Sequence, residues 1–161
     1  MPFSDLPRLT TRRLVLVPMT TGALRALVSG GDPGLPVAAG YPHADTLDAL
    51  QLLAGTDDPP AAWFVVLAES GAVVGDCGAK GPPDPSGRLE IGYGLAAPYR
   101  GRGYGSEAVA AMVGWLGEQD GVAAVVAEVE VGNLVSRRLL ERIGFTLEET
   151  AGGCWRLSLS P

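Results

Sequence analysis

The sequence predicts an α+β domain (mixed α/β) in which a mixed, mostly antiparallel sheet of about seven strands is flanked by about four helices. Three observations predict it. Apolar, β-branched runs follow one another with tight-turn residues between them, as hairpins do. One strand–helix–strand crossover, through residues 88 to 131, favours parallel pairing at that single step. The remaining apolar residues recur at helical spacing. The 161 residues form one domain, 1–161, with no internal repeat or linker, long enough to bury roughly two thirds of its unfolded surface.

In chain order, Arg13 to Val17 alternates and stops at Pro18, which suits a first strand. Thr20 or Thr21 then caps a helix through Val28. Residues 29 to 43, rich in Gly and Pro, read as a surface connection of the kind that carries substrate contacts, with Tyr41 and His43 as candidates. Asp45 is the expected N-cap of a second helix, with Leu47, Leu50 and Leu53 or Ala54 on one face and an end near Gly55. Trp63 to Ala68 and Ala72 to Ala79 make a hairpin around Glu69-Ser70-Gly71, and a second turn spans Gly81 to Gly87. On the strand from Arg88, Leu89, Ile91, Tyr93 and Leu95 share one face and Glu90, Gly92 and Gly94 the other, so one face is core and the other leaves room beside a carboxylate.

The strand from Arg88 runs into Arg100-Gly101-Arg102-Gly103-Tyr104-Gly105, and Val109, Met112, Val113 and Leu116 then recur as a helix face. Glycines permit backbone conformations and close approaches that a Cβ forbids. A helix starting there points N–H groups and a positive dipole end at the turn, a site for phosphate. Beyond the helix, a strand over Val122 to Val131 places Glu128 and Glu130 on one face. Asn133 caps a helix with Ser136, Leu139, Leu140 and Ile143, closed by Gly144, and a last hairpin pairs Phe145 to Glu149 with Cys154 to Leu159.

A dinucleotide fingerprint can be laid on Gly103, Gly105 and Ala108, with Glu128 downstream for a ribose. That fold needs several βαβ crossovers, and Pro98-Tyr99-Arg100 separates the strand from the glycines. No Gly-Lys-Ser/Thr follows, which excludes a P-loop. A turn that merely connects two elements leaves its two arginines unexplained. The formal charge of −6 and a pI near 4.7 argue against nucleic-acid and anionic-membrane binding and mildly favour a cationic substrate. No apolar run reaches the ~18 residues of a membrane span, and residues 1 to 13 lack a signal-peptide core, so the expected location is cytoplasmic. Cys77 and Cys154 have neither Cys-x-x-Cys spacing nor nearby His, so buried thiols are expected in place of a metal site.

Arg100 to Gly105 resembles the Arg/Gln-x-x-Gly-x-Gly/Ala acetyl-CoA motif of the GNAT N-acetyltransferase superfamily. Leu9-Thr10-Thr11-Arg12-Arg13-Leu14, Glu90-Ile91-Gly92-Tyr93 and Asn133-x-x-Ser136-x-x-Leu139-x-Glu141-x-x-Gly144-Phe145 are similar to its RimJ/RimL-like branch, the ribosomal-protein N-acetyltransferase type. The likeness runs in order through nearly the whole chain and is weakest from Ser29 to Pro60. It implies a GNAT fold with acetyl-CoA as cosubstrate, no metal, and an acceptor amine that is a small molecule or a protein N-terminus. It implies a monomer or homodimer. Arg100 belongs to the motif, and backbone amides of Arg102, Gly103, Tyr104, Gly105 and Ser106 would hold the cofactor pyrophosphate. Leu95 and Ala97 would pair with the pantetheine arm in a splay between the fourth and fifth strands. Asn133 and Ser136 would meet the arm or the adenosine-side phosphates.

Acetyl transfer from a thioester requires a neutral amine, a polarised carbonyl and a stabilised leaving thiolate. Glu128 and Glu90 are the expected proton acceptors, with Glu130 beside the acceptor; a salt-bridged strand carboxylate is the plain alternative for each. Many members of the superfamily carry a Tyr at the position of Leu140 to protonate the sulfur. Its absence leaves Tyr99, Tyr104, water or an unassisted thiolate, and motivates a rival reading as a noncatalytic acyl-CoA-binding or sensing module.

Overall fold

The computed structural model describes residues 5–161 and contains one eight-stranded sheet with four α-helices. In chain order these are β1 Leu9–Thr10, β2 Leu14–Pro18, α1 Thr21–Val28, α2 Ala44–Ala54, β3 Ala62–Leu67, β4 Val73–Ala79, β5 Arg88–Leu95, α3 Tyr104–Gly117, β6 Ala124–Glu130, α4 Leu134–Ile143, β7 Thr146–Ala151 and β8 Cys154–Leu159. A 3-10 turn, Ala97–Tyr99, joins β5 to the glycine turn. The strands lie in the order β1-β2-β3-β4-β5-β6-β8-β7. All pairings between them are antiparallel except β5 with β6, the step bridged by α3.

The expected sheet gains one strand, because β1 has only two residues and so shows no alternation in sequence. The splay expected between the fourth and fifth strands is therefore between β5 and β6. Thr20 caps α1 by accepting from Ala23 N at 3.1 Å, as expected. The second cap is a correction: α2 begins at Ala44, with Thr46 N and Leu47 N bonded to the His43 carbonyl, so Asp45 lies inside the first turn. The Asp45 side chain is outside the described residues.

Strand alternation divides the core in two. One face carries Leu14, Leu16, Trp63, Cys77, Ile91, Val125 and Ala127 against Val109, Met112 and Leu116 of α3 and Leu139 and Leu140 of α4. Trp63 and Trp115 meet edge to face there at 5.4 Å. The opposite face packs Phe64, Val66 and Val73 against Leu24, Leu27 and Leu50 of α1 and α2. Glycines let the layers close: a Cβ on Gly94 would sit 2.6 Å from Thr46 Cγ2 of α2, and one on Gly75 would lie 2.3 Å from the Gly94 carbonyl oxygen. Of the two cysteines, Cys77 is buried and Cys154 half-buried.

Candidate active site

The parallel ladder of β5 and β6 begins at Arg88 and Ala124 and its last pair is Ile91 with Ala127. Gly92–Leu95 stay paired with β4 and Glu128–Glu130 with β8, but not with each other, so the two strands part and their facing backbones are left open. A sheet interrupted this way offers backbone groups to an extended ligand, as an edge strand does. Beside the opening lies a cleft of about 650 Å³, walled by α2 and the end of β6 and floored in part by Gly78 and Gly92.

The glycine turn sits at the head of α3. Gly101 and Gly103 have φ of +74° and +83°, and Gly103 is the N-cap, with no side chain capping the helix. The first-turn N–H groups of Tyr104, Gly105 and Ser106 thus have no side-chain acceptor, the arrangement that suits an anionic oxygen. Gly105 joins the turn to the splay: a Cβ there would lie 3.0 Å from Leu139 Cδ1 and 3.6 Å from Leu95 Cδ1. Arg100 folds back so that its Nε donates to the Leu95 carbonyl at 3.0 Å. A pantetheine arm pairing with that carbonyl would displace or share the Arg100 bond. Arg102 stands 5.9 Å from the Tyr99 ring, and its carbonyl accepts from Arg13 Nη1 at 2.9 Å. Ala97 opens the 3-10 turn between the strand and the glycines.

At the far side of the splay, Asn133 Oδ1 accepts from Ser136 N at 3.2 Å and caps α4. Both residues line the cleft. Tyr93 also lines it, and its hydroxyl shares a hydrogen bond with Ser136 Oγ, tying β5 to α4 across the opening. Burial raises the Tyr93 hydroxyl pKa, while the Ser136 bond partly offsets that. Leu140 is fully buried in the core, so its position presents nothing to a leaving sulfur.

The carboxylates divide. Glu128 and Glu130 line the cleft. Glu128 accepts from Arg156 Nη2 at 3.0 Å across the β6–β8 pair, and Glu130 is exposed. Glu90 is not among the lining residues; it is ion-paired with Lys80 Nζ at 2.6 Å, inside the paired part of the sheet. Tyr41 is buried and His43 half-buried, and neither lines the cleft. Tyr41 reaches it indirectly, since its hydroxyl donates to Asp76 Oδ2 at 2.7 Å and Asp76 does line it.

Asp76 and Tyr93 are the site residues that sequence reasoning passed over. A lone carboxylate in the apolar run Val73–Ala79 was the available signal for Asp76, because a strand that buries both faces has no routine place for a charge. Tyr93 shares a strand face with core residues, and only the parting of the strands opens it to the cleft. Among the described residues no three His, Cys, Asp or Glu side chains gather as a metal site, and no helix is long and apolar enough to cross a membrane.

The family model that matches this chain is the acetyltransferase (GNAT) domain, over residues 13–146. The N-acetyltransferase YjdG of Bacillus subtilis strain 168 is 34% identical over 85 residues, covering 53% of this chain and 51% of that protein. The N-acetyltransferase p20 of Bacillus licheniformis is 32% identical over 86 residues, 53% of this chain and 48% of its own length. These matches thus span about half the length of either relative. An acetyltransferase from Agrobacterium tumefaciens C58 superposes with a TM-score of 0.69 at 25% identity, over 99% of this chain and 97% of that one. The RimL ribosomal L7/L12 alpha-N-protein acetyltransferase, solved in complex with coenzyme A, has the same fold at a TM-score of 0.68 and 17% identity, covering 96% and 98% of the two chains.

Proposed function

We propose, because the chain belongs to the GNAT acetyltransferase family, that it transfers the acetyl group of acetyl-CoA directly to a primary amine. The observation that carries this reading is the parting of β5 and β6 beside an uncapped helix start, with a carboxylate-lined cleft at the same opening. The amides of Arg102, Gly103, Tyr104, Gly105 and Ser106 suit the cofactor pyrophosphate, and Leu95 and Ala97 offer backbone to the pantetheine arm. Asn133 and Ser136 line the cleft at the start of α4, which supports a contact with the arm in this reading.

The chemistry asked of the protein is modest. The thioester supplies the activated carbonyl, and the amine attacks once it is neutral and held close to it. Of the two glutamates expected as proton acceptors, Glu128 lines the cleft and Glu90 does not. Glu128 and Glu130 together favour an acceptor with positive charge beyond its reacting nitrogen. A small polyamine meets that description, and a protein N-terminus does so where basic residues follow it; the likeness of the sequence motifs to RimJ/RimL-type proteins favours the latter.

The test is release of free CoA thiol when acetyl-CoA is offered with a panel of N-terminal peptides and polyamines. Amine-dependent thiol release together with a mass gain of one acetyl group on the acceptor is expected. Tight acetyl-CoA binding without thiol release for any acceptor would favour the noncatalytic sensor.

A further inference from the structure

We propose that Asp76, held by Tyr41, is the group that receives the acceptor's ammonium and takes its proton before acetyl transfer. The inference rests on the acetyltransferase reading above and names the part of the cleft that performs its first step.

Register sets the position. Asp76 pairs with Gly94, three residues beyond Ile91, the last residue of β5 still paired with β6. At about 3.3 Å per residue that is about 10 Å into the opening. Glu90, by contrast, lies within the paired section and beside Lys80. The strand face that Asp76 shares carries Gly78 on β4 and Gly92 and Gly94 on β5, so no side chain of β5 stands beside the carboxylate; Thr46 of α2 packs over Gly94 and Lys80 over Gly92, and both line the cleft with Asp76. Part of the Asp76 surface is reachable from the cleft, while protein surrounds the rest.

Tyr41 fixes the carboxylate. It is 7% exposed, and its hydroxyl donates to Oδ2 at 2.7 Å, which leaves Oδ1 for a second donor. Burial, and after it the facing Asp76 charge, hold the Tyr41 hydroxyl in its protonated, donating form. The loop that delivers Tyr41 is thereby joined to the middle of the sheet. Burial raises the Asp76 pKa to about 6, against the lowering effect of the Tyr41 bond, so the carboxylate is ionised near neutrality yet basic enough to accept a proton. The other ionisable groups around it are Cys77 on its own strand, whose thiol burial keeps protonated, Lys80 at the end of β4, and Glu90 on β5. Glu128 and Glu130 on β6 line the same cleft, and the elements packed against it also carry His43, in the loop after Tyr41, and Asp48, exposed on α2.

The step balances without another reagent. The ammonium gives one proton to the Asp76 carboxylate and becomes a neutral amine. Its nitrogen forms the C–N bond as the C–S bond breaks, and the second nitrogen proton leaves with the sulfur as CoA thiol. Asp76 then returns its proton to water.

The experiment combines turnover and binding in the full chain. For wild type, kcat/KM with the best amine of the panel rises through an acid limb near pH 6. Asp76→Asn keeps an oxygen for the Tyr41 hydroxyl, so a merely structural tether survives it. The proposal expects this variant to lose about 100-fold or more in kcat/KM and to lose the limb, with acetyl-CoA affinity within about twofold. Tyr41→Phe removes a bond that stabilises the charged carboxylate, so its limb moves to higher pH. Full activity with an unmoved limb in Asp76→Asn overturns the proposal, as does a limb that follows Glu128→Gln instead. Where wild type turns over no amine, the enzyme–CoA complex is titrated with butylammonium by NMR. Binding that weakens as pH falls below 6 and vanishes in Asp76→Asn supports the subsite; binding insensitive to both overturns it.

Discussion

Gly103 holds φ at +83° where α3 begins, a conformation that costs a residue with a Cβ and that puts successive N–H groups toward one point. The local space is open: a Cβ there would meet only Arg13 Nη2, at 3.1 Å, the end of a flexible side chain. Substitutions there are therefore decided by backbone and charge, not by packing. Asn tolerates the left-handed region, so Gly103→Asn should fold with a loss of about 1 kcal/mol or less and keep most of its acetyl-CoA affinity. Gly103→Asp has nearly the same shape but sets a negative charge where the pyrophosphate would lie. Calorimetric titration should show its acetyl-CoA affinity about tenfold or more below that of the Asn variant. Equal affinities would remove the pyrophosphate from this turn.

The β1–β2 hairpin and the first turn of α3 are joined by a single carboxylate. Glu107 accepts from Thr11 Oγ1 at 2.6 Å, Arg13 N at 2.7 Å and Arg13 Nε at 2.8 Å, while the Arg13 guanidinium lies 4.5 Å over the Tyr104 ring. Arg13 also holds the Arg102 carbonyl, so the clamp fixes the backbone of the glycine turn. Burial works to raise the Glu107 pKa, but the bonds from Thr11 and Arg13 and the Arg13 charge outweigh it and hold the carboxyl below its usual 4.5. A carboxylate depressed in the fold contributes stability that is present above pH 4.5 and is lost as pH falls through its folded pKa. Glu107→Gln should therefore lower stability by about 2 kcal/mol at pH 7, with the deficit in melting temperature shrinking as the pH is taken below 4.5. A deficit constant through that fall would mean that the charge contributes nothing. This clamp was not legible in the sequence, since Thr11 and Glu107 are 96 residues apart. The start of α3, the Asn133 cap and the hairpins were legible, because each is written in residues a few positions apart. The same contrast holds in the site: the glycine turn announces itself locally, whereas Asp76 acquires its meaning from Tyr41, 35 residues away.

At the scale of the whole molecule, a chain with formal charge −6 concentrates Asp76, Glu128 and Glu130 on one cleft, with Lys80 as the lining cation. Such a site is built against stability, and the cost can be read from pH. Asp76 has its pKa raised in the fold to about 6 from an ordinary 3.8, so the folded chain binds its proton more readily than the unfolded one between those values. Wild-type stability must then fall as pH rises from about 4 to 6 and stay lower beyond, by about 1–3 kcal/mol from this one group. Asp76→Asn lacks that term. The new amide N–H₂ needs partners where a carboxylate oxygen stood, and this shifts the variant's stability by an amount that does not depend on pH. The slope is therefore the diagnostic quantity. Thermal melts of the two proteins should favour wild type most at and below about pH 4 and shift toward the variant between pH 4 and 6, with the difference constant from there to pH 8. A difference independent of pH would place Asp76 outside the titration assigned to it. With the slope found and activity lost in the same variant, the destabilising carboxylate would be retained for chemistry, the stability–activity trade expected of a residue that works on a substrate.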